Sequence, residues 1–257
     1  MLELFRVDRE KRTLPAPKFL VRAWGDISRA IRQLRRRHNV HFLHIGKTGG
    51  TAIKYVLERQ QNTKQYSFVL HPHETTLRDV PNGEYVIFFL RDPITRFTSG
   101  FYSRQRQGQP RYLSPWSTEE QAAFQRFDTP NKLAGALSSD DQGQRSAAAK
   151  AMQSIEHVRT SYWKWFENEP YFRSRLSDIF FIGFQETLDS DFESLRLKLG
   201  LGSDLNLPVD DIEAHKNPSH LDRSLDEVAL RNLREWYAAD YEFLSLCKGL
   251  AERINGR

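Results

Sequence analysis

Val40-His41-Phe42-Leu43-His44-Ile45 runs directly into Gly46-Lys47-Thr48-Gly49-Gly50-Thr51, and this junction sets the fold class. The first six residues are an apolar, β-branched and aromatic run of the kind that forms a buried strand. The next six form a glycine-rich turn, and TAIKYVLERQ after it has helical spacing. A strand that turns through glycines into a helix presents unpaired backbone N–H groups and the positive end of a helix dipole, which together cradle an anion. Lys47 adds a charge, and Thr48 and Thr51 add hydroxyls. The string contains Gly-Lys-Thr, yet a nucleotide-triphosphatase loop needs a second glycine five residues before Gly46, where this chain has His41. A tight turn with incidental polar residues is the plainer alternative, and the paired glycines with a lysine weigh against it.

Outward from this junction, Tyr66 to Leu70 (YSFVL), Glu84 to Leu90 (EYVIFFL) and Asp178 to Phe184 (DIFFIGF) read as further strands. Helical spacing fills Ser146 to Glu167, Thr187 to Leu199 and Leu225 to Cys247. Strands separated by helices predict an α/β fold, a single P-loop-like domain with a mainly parallel central sheet flanked by helices. In such sheets ligands bind at the carboxyl ends of the strands. Residues 1–38 read as a basic, partly helical extension, and residues 39–257 as the domain itself.

The third apolar run ends in Arg91-Asp92-Pro93. Asp92 is a natural N-cap and Pro93 a favourable first helical residue. Arg91 then stands at a strand's carboxyl end with Ser99 on the helix behind it, a pairing of guanidinium and hydroxyl suited to a phosphate monoester. A surface ion pair explains an isolated Arg equally well.

The two loops together resemble the sulfotransferase family. HIGKTGGT is similar to its phosphosulfate loop, and Arg91 to Ser99 matches in full its 3′-phosphate motif of Arg-Asp-Pro, two residues, Arg, two residues, Ser. The resemblance extends from about Val40 to the C-terminus, taking in Gly183, Glu186, Asp240 and Tyr241, and is nearest the heparan sulfate 2-O-sulfotransferases and their bacterial relatives. Many members have Pro where this chain has Gly46. The resemblance implies 3′-phosphoadenosine-5′-phosphosulfate (PAPS) as donor and adenosine 3′,5′-bisphosphate as product, with no metal. It implies that Lys47, Thr48, Gly49, Gly50, Thr51 and Ala52 hold the 5′-phosphosulfate, with Lys47 stabilising the leaving oxygen, and that Arg91 and Ser99 hold the 3′-phosphate. Arg96 lies inside the motif as either a contact or a structural ion pair.

An acceptor hydroxyl must lose a proton. His71-Pro72-His73-Glu74 follows a strand, and an imidazole with an ordinary pKa of about 6.5 suits a general base at neutral pH. The resemblance favours His73, with His71 behind it and Glu74 as the fallback; the alternative is a pair of loop histidines bonded to backbone. His41 and His44 read as core or supporting residues. Arg104, Arg106, Arg111, Tyr112 and Trp116 are candidate glycan contacts or an exposed loop, and His215-Lys216-Asn217 a candidate flap over the nucleotide. The aromatics of Ser161 to Phe166 (SYWKWF) and Cys247 read as core.

Bulk properties bound the rest. With 257 residues, 39% hydrophobic and 28% charged, the chain supports one substantial core. Its longest apolar runs fall far short of the roughly 20 residues a membrane span needs. MLELFRVDREKR lacks the apolar centre of a signal peptide, and a single cysteine fits a reducing, cytoplasmic setting. The net charge of +5 is concentrated in Arg29, Arg32, Arg35, Arg36 and Arg37, a solvated face rather than a nucleic-acid arm, since no nucleic-acid-binding module accompanies it. The expected partners are therefore a nucleotide donor and a hydroxyl acceptor, a glycan first. The rival functions are a kinase or NTPase, which would use ATP and Mg²⁺, and a non-catalytic anion-binding relative.

Overall fold

The computed structural model describes residues 37–60, 62–110, 112–208, 218 and 220–256. The chain divides between Arg37 and His38. The basic extension expected over residues 1–38, apart from Arg37 and His38, lies outside the described residues, as do Arg111 and His215-Lys216-Asn217.

Four strands, β1 (His38–Leu43), β2 (Tyr66–Leu70), β3 (Tyr85–Leu90) and β4 (Ile179–Phe184), form one sheet in the order β2-β1-β3-β4. Every pairing is parallel, with Phe42 opposite both Leu70 and Ile87, and Leu90 opposite Phe184. The expected α/β class with a parallel central sheet is what the chain adopts. The sequence runs succeed because both faces of this sheet are covered, which demands continuous rather than alternating apolar strands. Along β3, Val86, Phe88 and Leu90 enter one core cluster, while Ile87 and Phe89 enter another.

Helix α1 (Gly50–Arg59) follows β1, and α2 (Pro93–Gln105) follows β3. Then come α3 (Thr118–Arg126), α4 (Pro130–Ala136), α5 (Gln142–Ser154), α6 (Trp163–Phe166) and α7 (Glu169–Ser174). After β4 the chain forms α8 (Leu188–Leu199), α9 (Glu227–Trp236) and α10 (Ala238–Asn255). Ile53, Val56 and Leu57 of α1 pack with Phe192, Leu195 and Leu199 of α8 on one sheet face. Tyr162, Trp165, Phe166, Phe172 and Phe243 cover the other. A third cluster joins α2 to α3, α4, α5 and α9 away from the sheet. None of the described helices is long and apolar enough to cross a membrane.

Two of the expected helices are broken. Ser146 to Glu167 splits into α5 and α6 around Ile155–Ser161, because tertiary partners claim that backbone: Glu156 N–H donates to Glu120 at 3.1 Å, and the Tyr237 hydroxyl donates to the Val158 carbonyl at 2.8 Å. Leu225 to Cys247 divides at Tyr237, and its second half continues to Asn255.

The topology places the site. Strand β1 continues through α1 to β2 on one side, and the chain then returns to β3 on the other side of β1. This reversal of strand order opens a crevice at the carboxyl ends of β1 and β3. The loops after those two strands are the two in which the sequence places its candidate anion-binding residues.

Candidate active site

The loop after β1 is shaped for an anion. Gly49 caps α1 in the left-handed region (φ 85°), and no side chain caps that helix. The N–H groups of Gly50 and Thr51 thus keep their capacity for a ligand, while that of Ala52 donates to the Gly49 carbonyl at 3.0 Å. Gly50 is required sterically: a Cβ there would lie 2.5 Å from His44 Cδ2. Lys47 takes φ 69°, a conformation disfavoured for a side-chain-bearing residue. Burial, then the nearby Arg91 and Arg106, pull the Lys47 pKa down to about 7. An anion at this place would restore its charge.

The loop after β3 lies alongside. The Asp92 carboxylate accepts from Thr95 N–H at 2.9 Å and caps α2, with Pro93 in its first turn. Arg91 donates from Nε to Thr95 Oγ1 at 2.9 Å and from Nη1 to the Lys47 carbonyl at 3.4 Å, so the two loops touch. The Arg91 backbone is clamped by Tyr162, whose hydroxyl accepts from Arg91 N–H at 3.1 Å and donates to its carbonyl at 2.5 Å. Glu186 accepts from Asp92 N–H at 2.8 Å, and the Tyr241 hydroxyl donates to the Asp92 carboxylate at 2.9 Å.

Arg96 has a structural place. It is 2% exposed and donates to the carbonyls of Gly46 at 3.0 Å and Thr160 at 2.8 Å. Its charge faces Asp240 at 3.8 Å, and Asp240 also accepts from Ser161 Oγ at 2.5 Å and Tyr162 N–H at 2.9 Å. Arg96 therefore ties the phosphate loop to α10 from beneath.

A cavity of about 1270 Å³ opens over both loops. Of the residues singled out from sequence, Lys47, Gly49, Gly50, Thr51, Ala52, His73, Glu74, Arg91, Ser99 and Tyr112 line it. Thr48 differs: it is 1% exposed, and its hydroxyl donates to the Ile45 carbonyl at 3.0 Å. That hydroxyl braces the turn in this arrangement. Arg104 also departs from a glycan-contact role. It is buried against Glu120, donating from Nε at 2.7 Å and Nη2 at 2.5 Å, because Glu120 completes the capping box of α3 there. Trp116 is likewise drawn inward, donating to the Arg104 carbonyl at 2.7 Å. Arg106, two residues on, instead lies near enough to Lys47 to depress its pKa.

His73 has the geometry of a base. Its Nδ1 is 2.9 Å from the His44 carbonyl. A carbonyl only accepts, so Nδ1 carries the proton and Nε2 keeps its lone pair. The His73 ring packs against that of His44, tilted by 32° with centroids 3.9 Å apart, and the His73 carbonyl accepts from the Trp165 indole at 2.8 Å. Desolvation draws its pKa below the ordinary value, so the neutral ring persists at neutral pH. His71 points elsewhere: its Nε2 meets His41 Nδ1 at 2.8 Å, and His41 in turn bonds Glu84, which also accepts from Asn39 at 3.0 Å. Burial and this neighbouring imidazole lower the His71 pKa to about 4. His41 and His44 are buried supporting residues.

The sequence motifs missed several residues at this cavity, among them Lys54, His157 and Arg223. Arg223 lies close enough to Arg91 to help lower its pKa, after burial. Neither Arg223 nor His157 belongs to a local pattern; only the fold brings them here. Among the described residues, no group of three or more His, Cys, Asp or Glu side chains is disposed to hold a metal.

A model of the sulfotransferase family matches residues 34–246. The chain belongs to the sulfotransferase family. The match spans the loops after β1 and β3, all four strands and the first half of α10, and it makes the enzyme a transferase of sulfuryl groups. No curated protein matches this sulfotransferase.

Proposed function

We propose that this sulfotransferase moves the sulfuryl group of PAPS to an acceptor hydroxyl, with His73 as general base and a carbohydrate as acceptor. One observation carries the reading above all: an imidazole whose tautomer is fixed by a backbone carbonyl lines the same cavity as Lys47 and Arg91. The cavity fits a donor with two anionic ends. Lys47, Gly49, Gly50, Thr51, Ala52 and the open start of α1 suit the 5′-phosphosulfate. Arg91 and Ser99, joined by Arg223, suit the 3′-phosphate.

The chemistry follows from positioning and charge. His73 Nε2 takes the acceptor proton as the hydroxyl oxygen attacks sulfur. The sulfur–oxygen bond to the 5′-phosphate breaks in line, and Lys47 stabilises the negative oxygen that leaves. Sulfuryl transfer shares this economy with phosphoryl transfer, in which the protein mainly orients groups and balances charge. Tyr112, 44% exposed at the cavity, offers a flat face to a sugar ring. The catalytic unit of this reading is residues 39–257, and the single cysteine accords with a cytoplasmic enzyme.

Calorimetry with adenosine 3′,5′-bisphosphate, AMP and ATP–Mg²⁺, on wild type and Arg91→Ala, tests it. The bisphosphate should bind tightest, and Arg91→Ala should remove most of its advantage over AMP. A preference for ATP–Mg²⁺ would instead make the enzyme a kinase. Binding of none of the three would leave a non-catalytic relative.

A further inference from the structure

The break between α5 and α6 carries an imidazole with no assigned task. His157 lines the cavity with Lys47 and His73, its ring centroid 6.5 Å from that of His73. One glycine makes room for it, and a second lies beside its ring. A Cβ on Gly100 of α2 would lie 2.9 Å from the His157 Cβ, closer than such atoms approach. A Cβ on Gly46 would lie 3.6 Å from His157 Nδ1, so the residue before Lys47 faces this ring directly. The backbone on both sides is pinned, at Glu156 by Glu120 and at Val158 by Tyr237. Among the described residues, no hydrogen bond engages a ring nitrogen of His157. A rigidly held polar group, given space by Gly100 and hydrogen-bonded to no partner among the described residues, is placed for a ligand.

We propose that His157 donates a hydrogen bond to a sulfonate oxygen of the donor, as a catalytic residue distinct from His73. This rests on PAPS being the donor. In an in-line transfer the base and the leaving oxygen occupy opposite ends of the reacting axis, and the sulfonate oxygens project sideways between them. His157 neighbours the group assigned to each end, Lys47 and His73. Burial, Lys47 and His73 keep its pKa well below the ordinary imidazole value, so it acts as a neutral donor beside cations. His157 keeps its proton throughout. The acceptor's proton goes to His73, and the electron pair of the broken bond goes to the 5′-phosphate oxygen.

The test needs no acceptor, because PAPS and adenosine 3′,5′-bisphosphate differ only by the sulfonate. Binding of each is measured for wild type, His157→Leu and His157→Gln. His157→Leu should lose about tenfold in PAPS affinity with bisphosphate affinity unchanged within about twofold, the scale of one hydrogen bond to a charged group. His157→Gln, which keeps a neutral donor, should recover part of the loss. Equal losses for both nucleotides, or no loss for either, would overturn the proposal. Wild type binding neither nucleotide would refute the donor assignment itself. Should the leucine variant not fold, ring NMR of ¹³C-histidine wild type decides, with His157 assigned through its contact with Gly100. Its resonance should move with PAPS and stay put with the bisphosphate; identical responses would refute the contact.

Discussion

Two titrating side chains set the enzyme's expected pH behaviour at the residue scale. Lys47 in the free enzyme has a pKa of about 7, lowered first by burial. Below that value it is charged and ready for an anion; above it, binding must recruit a proton. Donor affinity should therefore fall by up to about tenfold per unit above pH 7. Calorimetry of the bisphosphate at pH 8 in buffers of different ionisation enthalpy should show uptake approaching one proton. Accordingly kcat/KM, which reports the free enzyme, should decline above about pH 7, while kcat should not, because the bound donor holds Lys47 charged. On the acid side, burial holds the His73 pKa below the ordinary imidazole value, so turnover that depends on its neutral ring should persist further into acid than a free imidazole would allow. His73→Asn should reduce kcat by about 10²- to 10⁴-fold with bisphosphate affinity almost unchanged. If Glu74→Gln shows that loss and His73→Asn does not, the base is Glu74.

At the scale of elements, the phosphate loop tolerates little. Gly50→Ala would drive a methyl into the His44 ring, which packs against His73. It should lower stability by about 1–3 kcal/mol, as overpacking does, and weaken activity beyond that loss. Gly249→Ala in α10 is the control: a Cβ there meets nothing within 4 Å. That change should stabilise by about 0.5–1 kcal/mol, and thermal unfolding checks both. These elements also show what a sequence can and cannot disclose. Strands β1 to β4 and the start of α2 were legible because their signals are local: apolar runs bounded by turns, and Asp-Pro at a helix start. The break that presents His157 was not legible, since Glu120 and Tyr237 cause it from afar. Arg104 and Arg106 look alike in the chain and part company only because α3 places a carboxylate beside the first.

Across the whole molecule, the Arg96–Asp240 pair joins α2, the phosphate loop and α10 through side chains 3% and 2% exposed. Removing one partner strands a buried charge. Arg96→Met should cost about 3–5 kcal/mol, and Asp240→Asn added to it should recover part of that; denaturant unfolding of the cycle gives the coupling. Equal stability in wild type and Arg96→Met would show that the pair carries no such weight. The joint lies under Gly46, so donor affinity should suffer as well. Another long-range tie has an optical use: the Trp165 indole donates to the His73 carbonyl, so its emission senses the polarity and motion of the backbone that carries His73. A variant retaining Trp165 as its sole tryptophan should change colour and brightness as the donor arrives. Stopped-flow fluorescence on it would time the arming of the site before any acceptor is found, giving this sulfotransferase a built-in clock.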